Sequence, residues 1–411
     1  MRYVESLTDS EEGDVRAGRR EHLLLRRTCC AAALLLSLCA LLSAWGVGGR
    51  RQGACGTVAV WKAAAAANAT LSACIALCPR FSAATVLRLN DVQTVGTHNS
   101  YHVAPFFAMS AEWKYTHLPI TEQLDAGVRS LELDPHFDPV FSSFNVYHEP
   151  VVDYRSRCHC LTACMREVAH WSARNPGHTI LKIVIEPKFN IDIVNPYLDA
   201  HRGVAHMRAL QNTLLAHWPA DKVLTPAMVQ GDAPSMRAAI QPGSCGWPSD
   251  EETRGWAMFI LDAWTENADA GVALRALPLS EQLFFIRGTA AYDIPEDVAV
   301  LELSACECSK SKINTDACLS DMEALVARNY LVRAATDTAG CAVRNVSALA
   351  EGTQAAGVQI LVTDFIKQAL PLPCGPSRNA AGRNACCRPG IQAPCTAEST
   401  SIFGDPTGLS R

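Results

Sequence analysis

Short apolar, β-branched runs recur through the middle of the chain, separated by longer stretches with helical periodicity. The runs lie at 92–97, 128–133, 144–147, 180–185, 257–261, 298–303, 330–333 and 358–363, with 284–286 competing for the sixth place. Helical patterns fall at 161–173, 203–217 and 316–328. Strands alternating with helices predict a parallel sheet. Eight such runs over this span predict an α/β fold of the TIM-type (β/α)8 barrel kind, regular or distorted. A doubly wound open sheet is the structural alternative.

Outside that region the pattern changes. Residues 28–48, TCCAAALLLSLCALLSAWGVG, carry no charge and are long enough to span a hydrocarbon core as a helix. Arg16, Arg19, Arg20, Arg26 and Arg27 precede this segment, and Arg50 and Arg51 follow it. The asymmetry predicts a single-pass transmembrane signal anchor with 1–27 in the cytoplasm and the bulk of the chain extracytoplasmic. A cleaved signal peptide, giving a secreted protein, is the rival reading. An Ala- and Gly-rich juxtamembrane stalk is expected over 49–82, helical in part over 63–78. The barrel is expected over 83–372 and a Cys-rich tail over 373–411.

Composition supports that topology. The chain has 411 residues, 49% of them hydrophobic, enough for a large core. It holds 18 cysteines, far more than a reduced compartment favours, which predicts several disulfides. The number outside the apolar N-terminal segment is odd, so at least one thiol is expected to be free or paired between chains. Their spacings give no two clean CxxC pairs, which argues against a zinc cluster. Two glycosylation sequons, at Asn68 and Asn345, agree with an extracytoplasmic domain. The formal net charge of -5 shows no basic excess, so no nucleic-acid partner is expected.

Ionisable residues gather at the C-terminal ends of the first four runs: GTHNS (96–100), LELD (131–134), YHE (147–149) and IEPK (185–188). In a parallel barrel those ends converge on one face, where active sites are built. Strand alternation puts Glu132 and Asp134 on one side with Leu133 opposite, and Glu186 with Lys188 likewise if the strand extends that far. Glu132, Asp134, Glu186 and the amide oxygen of Asn99 form an all-oxygen set suited to Ca2+. His98 and His148 could then serve as base and acid in one phosphoryl displacement. His102, His117, His136, His159, His170 and His178 lack such company and are expected to be structural or at the surface.

At these residues the sequence resembles a known family. VGTHNSYH (95–102), QLDAGVRSLELD (123–134), VYHEPVVD (146–153), the C-x-C-x3-C region from Cys158 and HWSARNPGHTILKIVIEPK (170–188) are similar to the calcium-dependent phosphoinositide-specific phospholipases C. GWPSDEETRGWAMFILD (246–262), LVRAATD (331–337) and GVQILVTDF (357–365) extend the likeness, which covers about 83–368. The resemblance implies a PLC-like phosphodiesterase barrel acting on a phosphoinositide lipid substrate. In that reaction the inositol 2-hydroxyl attacks phosphorus and diacylglycerol leaves. It implies catalytic places for His98 and His148, calcium-ligand places for Asn99, Glu132, Asp134 and Glu186, and a substrate-phosphate contact for Lys188. Arg333 is expected to bind substrate, while a rim ion pair is the competing reading for Arg333, Asp337 and Asp364. Asp262 and Trp264 are candidates for an inositol pocket.

Two other functions compete. A glycerophosphodiester or lysophospholipid phosphodiesterase uses similar groups but opens with His-Arg after its first strand, where this chain has His98-Asn99. A non-catalytic lipid- or glycan-binding barrel would be marked by loss of a histidine or carboxylate, and none is lost.

Overall fold

Eight of the β-branched runs pair side by side, all in one direction. The computed structural model describes residues 87–188, 200–244, 246–263, 268–289, 294–304, 315–339, 346–366 and 386–387. The strands are β1 (Val92–Thr97), β2 (Val128–Leu133), β3 (Leu181–Ile185), β4 (Ala257–Asp262), β5 (Phe284–Thr289), β6 (Val298–Ser304), β7 (Leu331–Asp337) and β8 (Ile360–Thr363). Each pairs in parallel with the next, and β8 pairs in parallel with β1, which closes the barrel. Closure joins what would otherwise be the two outer strands, and only short strands add to it at Val223–Leu224 and Cys386–Cys387 among the described residues. Helices Leu161–Arg174, Ala200–Leu215, Thr315–Ala327 and Val346–Ala355 lie in the connections, as expected for parallel strands.

The strand middles make the core: Leu131, Ile183, Phe259, Phe284, Val300, Val332 and Ile360 are all buried. Near the C-terminal end of β1 the packing becomes tight. A Cβ on Gly96 would lie 2.9 Å from Ser130 Cβ and 3.3 Å from Val362 Cγ2, so only glycine lets β1 sit between β2 and β8 here. Two residues later the chain presents His98.

Two expectations about the strands are corrected. The run at 144–147 is not a barrel strand. Ser143–Val146 pairs antiparallel with Pro135–Asp138 as a separate hairpin. Asp138 Oδ1 accepts from the backbone N–H of Val140 and Phe141 at 2.9 and 3.2 Å, and Ser142 adopts φ 47, which together turn the chain back at once. The competitor 284–286 is a barrel strand instead. Only residues 290–297 separate it from β6, less than a helical crossover normally takes, yet both are barrel strands. YHE therefore stands on an insertion between β2 and β3, not on a fourth successive strand end.

The upper barrel holds a chain of alternating charges on neighbouring strands. Arg287 of β5 pairs with Asp262 of β4 and Glu302 of β6, and Arg333 of β7 pairs with Glu302 and with Glu132 of β2. Burial opposes ionisation of Glu302, but the two guanidiniums outweigh it and hold its carboxyl down to about 2. Burial pushes Asp262 up to about 6 against the pull of Arg287. Each charge is offset by its neighbours, so the chain acts as a unit.

Cys158 and Cys164 are bridged, and Cys160 and Cys318 are also disulfide-bonded. A short strand at Cys386–Cys387 adds antiparallel to Val92 and Gln93 at the start of β1. No helix among the described residues is long and apolar enough to cross a membrane. The anchor at 28–48, the stalk, both sequons, Trp264 and the rest of the tail lie outside the described residues, as does the Asp337 side chain.

Two outcomes are expected. Gly96→Ala overpacks the β1–β2 and β1–β8 seams and should destabilise the fold by about 1–3 kcal/mol, read as a lower melting temperature. The depressed Glu302 contributes stability that is complete above its unfolded value near 4.5 and is lost as pH falls toward about 2. The stability gap between wild type and Glu302→Gln, followed by urea unfolding in chelator, should therefore narrow from about pH 5 to about pH 3. A constant gap would mean the two arginines do not hold Glu302 ionised.

Candidate active site

The end of β1 delivers the first histidine. Past Thr97 the backbone turns, with Asn99 at φ 45, a conformation asparagine tolerates better than most residues. His98 Nδ1 lies 3.0 Å from Asp364 Oδ1, just after β8, and its Nε2 faces Glu132 Oε1 at 3.9 Å. His117 Nε2 donates to the His98 carbonyl at 2.7 Å and so fixes the turn from behind. Burial disfavours a charged His98, but the carboxylates of Asp364 and Glu132 together outweigh it and push the imidazole up to about 10. A cation bound at Glu132 would cancel part of that field.

The ends of β2 and β3 bring three carboxylates to one point. One oxygen from each of Glu132, Asp134 and Glu186 lies within 4.8 Å of the others. Glu186 N–H donates to the Leu133 carbonyl and Lys188 N–H to that of Pro135, so the two segments run side by side past the last strand residues. Lys188 Nζ reaches Glu186 Oε1 at 2.6 Å and Asp134 Oδ2 at 3.6 Å. Glu186 is held below the usual carboxylate range because Lys188 outweighs the effect of burial. Asp134, fully buried, is pushed well above it by burial and by Glu186 and Glu132, against Lys188.

This chemistry fits a hard divalent cation. The set is all oxygen, nearly dry and short of positive charge at Asp134. The Asn99 amide edge lies 3.2 Å from both Asp134 carboxylate oxygens. With nitrogen turned inward it donates to them; with oxygen turned inward it completes a set that a cation holds together. Asn99, Glu132, Asp134 and Glu186 are thus all in one place, as expected.

His148 arrives from the insertion. Its Nδ1 lies 2.9 Å from Asp153 Oδ2, and Asp153 is held low by hydrogen bonds from His102 and His148 that overcome its burial. His102 Nε2 meets the same carboxylate at 2.9 Å, while its Nδ1 faces the Tyr115 carbonyl at 3.0 Å. Tyr115 stacks on His102 with ring centres 4.2 Å apart and stands 6.3 Å from the His98 ring; His102 is 6.3 Å from His148. One packed group therefore connects both histidines.

Arg333 is 3% exposed at its side chain, with its guanidinium between Glu132 and Glu302. The ion-pair reading of Arg333 is what the geometry shows, and Asp364 likewise pairs with His98. His102, His117, His136 and His178 are buried and hydrogen-bonded, as structural histidines should be. Sequence reasoning missed the parts played by Asp153, Tyr115, Arg287 and Glu302. Asp153 stood inside the VYHEPVVD motif, five residues from His148 at a spacing where a turn can return it. Nothing local marks Tyr115.

The sequence profile of the family "Phosphoinositide phospholipase C, Ca2+-dependent" matches residues 87–144 and 141–375. No curated protein matches the sequence. Among solved structures, a Ca2+-dependent phosphatidylinositol-specific phospholipase C from Streptomyces antibioticus is similar at 18% identity and a TM-score of 0.50, covering 68% of this chain and 95% of that one. A calcium-dependent phosphoinositol-specific phospholipase C from Pseudomonas sp, in its apo form, is similar at 15% identity and a TM-score of 0.46, covering 69% and 92%. The Streptomyces likeness shows the fold, a parallel α/β barrel of the TIM type. The profile spans most of the chain and all of the residues gathered here, so the chain belongs to the calcium-dependent phosphoinositide phospholipase C family.

Proposed function

We propose that this chain is a calcium-dependent phosphoric diester hydrolase that cleaves phosphatidylinositol-type lipids in the manner of a phospholipase C. The observation that carries the reading is the meeting of Glu132, Asp134 and Glu186 within 4.8 Å beside a histidine anchored by Asp364. Asn99, Glu132, Asp134 and Glu186 would hold Ca2+, which supplies charge to offset the phosphate and to acidify the attacking hydroxyl. Arg333 keeps the Glu132 carboxylate aimed into the set, and Lys188 does so for Glu186 while offering a cation to a substrate phosphate.

The inositol 2-hydroxyl oxygen forms a bond to phosphorus as the bond to the glycerol oxygen breaks. Asp364 occupies Nδ1 of His98 and leaves Nε2 toward the carboxylates. From there His98, when charged, donates to a phosphoryl oxygen; when neutral, it takes the hydroxyl proton. Asp153 likewise occupies Nδ1 of His148, so its Nε2 gives the proton to the departing diacylglycerol oxygen. A cyclic inositol phosphate results, which water can open in a second step.

We also propose that the barrel works in an oxidising, extracytoplasmic setting. The Cys158–Cys164 bridge supports this.

Purified protein mixed with phosphatidylinositol should release an inositol phosphate, seen by phosphorus NMR, with calcium and not with chelator. Intact lipid in calcium would sink the proposal. His148→Ala should lower kcat by about 10²–10⁴ with an unchanged melting temperature, the usual size of a general-acid contribution. Glu132→Gln should raise the calcium concentration needed for half-maximal activity, and an unchanged calcium curve would remove Glu132 from the ligand set.

A further inference from the structure

His102 is the third histidine beside the site and has no part in the proposed reaction. It is 1% exposed, in the segment just after β1, and both of its ring nitrogens are engaged. Nδ1 lies 3.0 Å from the Tyr115 carbonyl, and Nε2 lies 3.0 and 2.9 Å from the two oxygens of Asp153. A carbonyl oxygen can only accept, so Nδ1 must carry a proton. An ionised carboxylate also only accepts, so Nε2 must carry one too. A neutral imidazole has a single N–H and cannot meet both demands; an imidazolium meets them.

The surroundings favour a cation at this place. The Tyr115 ring stacks on His102 with centres 4.2 Å apart, so the electron-rich face of the phenol covers the imidazole. Asp153 is fully buried, and its ion pairs are with His102 and His148. A carboxylate in so dry a place needs a positive charge beside it. The other ionisable neighbours do not supply one. Tyr115, pushed up by burial, stays a neutral phenol, and burial holds His117, behind His98, and His136, on the hairpin, down to about 4. Lys188, after β3, pairs with Glu186 and Asp134. Arg155 and Arg157 donate to the carbonyls of Ala104 and His117, and Glu149, on the turn of His148, is itself an acid.

We infer that His102 is a buried imidazolium that neutralises Asp153 and so keeps His148 able to give up its proton. The inference rests on the proposed role of His148 as the acid toward the leaving oxygen. Asp153 Oδ2 accepts from His148 Nδ1 at 2.9 Å, and the His102 and His148 rings are 6.3 Å apart. A carboxylate without a second partner would hold the proton on His148 and oppose its transfer. Paired with a cation, Asp153 fixes the His148 ring without that opposition. His102 keeps both of its protons throughout and touches no substrate; it is a positioning residue that acts through Asp153.

Nitrogen NMR of the full chain labelled at histidine reads the charge directly, without turnover. At neutral pH one histidine should show two protonated ring nitrogens that vanish in His102→Gln, which keeps a donor at the place of Nε2 and removes the charge. In the same variant, turnover of phosphatidylinositol should fall about tenfold or more. Turnover of a 4-nitrophenyl ester of inositol phosphate, whose leaving group departs without a proton, should fall far less. Equal losses on the two substrates would overturn the inference, as would a His102 ring with one unprotonated nitrogen. Should His102→Gln not fold, Asp153→Asn identifies the signal instead, because without the carboxylate His102 should become a neutral ring with its proton on Nδ1. If wild type turns over neither substrate, the proposed activity fails, and the nitrogen signals still decide the charge on His102.

Discussion

Three carboxylates at one point, two of them buried and one half-buried, are the constraint that organises the rest of this barrel. Two cations answer them: Lys188, two residues along from Glu186 and bonded to it, and Arg333, which pairs with Glu132 from across the barrel mouth. Like charges brought together in a dry place must be offset or neutralised. Arg333 is itself offset by Glu302, Glu302 by Arg287, and Arg287 by Asp262, so the demand set at β2 propagates over β4 to β7. A divalent ion satisfies the same demand from the open side. The arrangement therefore gives the barrel mouth a place where a divalent cation could be held.

The two histidines are built alike from unlike parts. Each has a carboxylate on Nδ1, Asp364 for His98 and Asp153 for His148, which fixes the ring. His98 stands on a barrel strand end, held by a turn that begins where Gly96 allows close packing. His148 stands on an inserted turn, held by Asp153 and His102. One histidine is thus mounted on the barrel itself and the other on a loop.

Much of this was legible in the sequence. Seven of the eight barrel strands followed from β-branched runs, and the polar ends of β1, β2 and β3 were read as gathering His98, Asn99, Glu132, Asp134 and Glu186 because strand direction and side-chain alternation fix where such ends point, whereas His148 was read on a fourth strand end and stands on an inserted turn. The failures share a cause. The run at 144–147 has the composition of a barrel strand, and only the turn chemistry at Asp138 and Ser142 makes it a hairpin. β5 was named only as a competitor for the sixth place, where the closed barrel holds both it and β6. The pairing of Arg333 with Glu132 and Glu302, and the stacking of Tyr115 on His102, join residues far apart in the chain, and no local pattern records such contacts.

The central claim is that the triad at the barrel mouth is a calcium site, and isothermal calorimetry on the full chain measures it most directly. One calcium should bind per chain, and binding should be lost or greatly weakened in Asp134→Asn and in Glu186→Gln while both variants still fold. Absence of binding at millimolar calcium, or binding that survives both substitutions, would contradict the account.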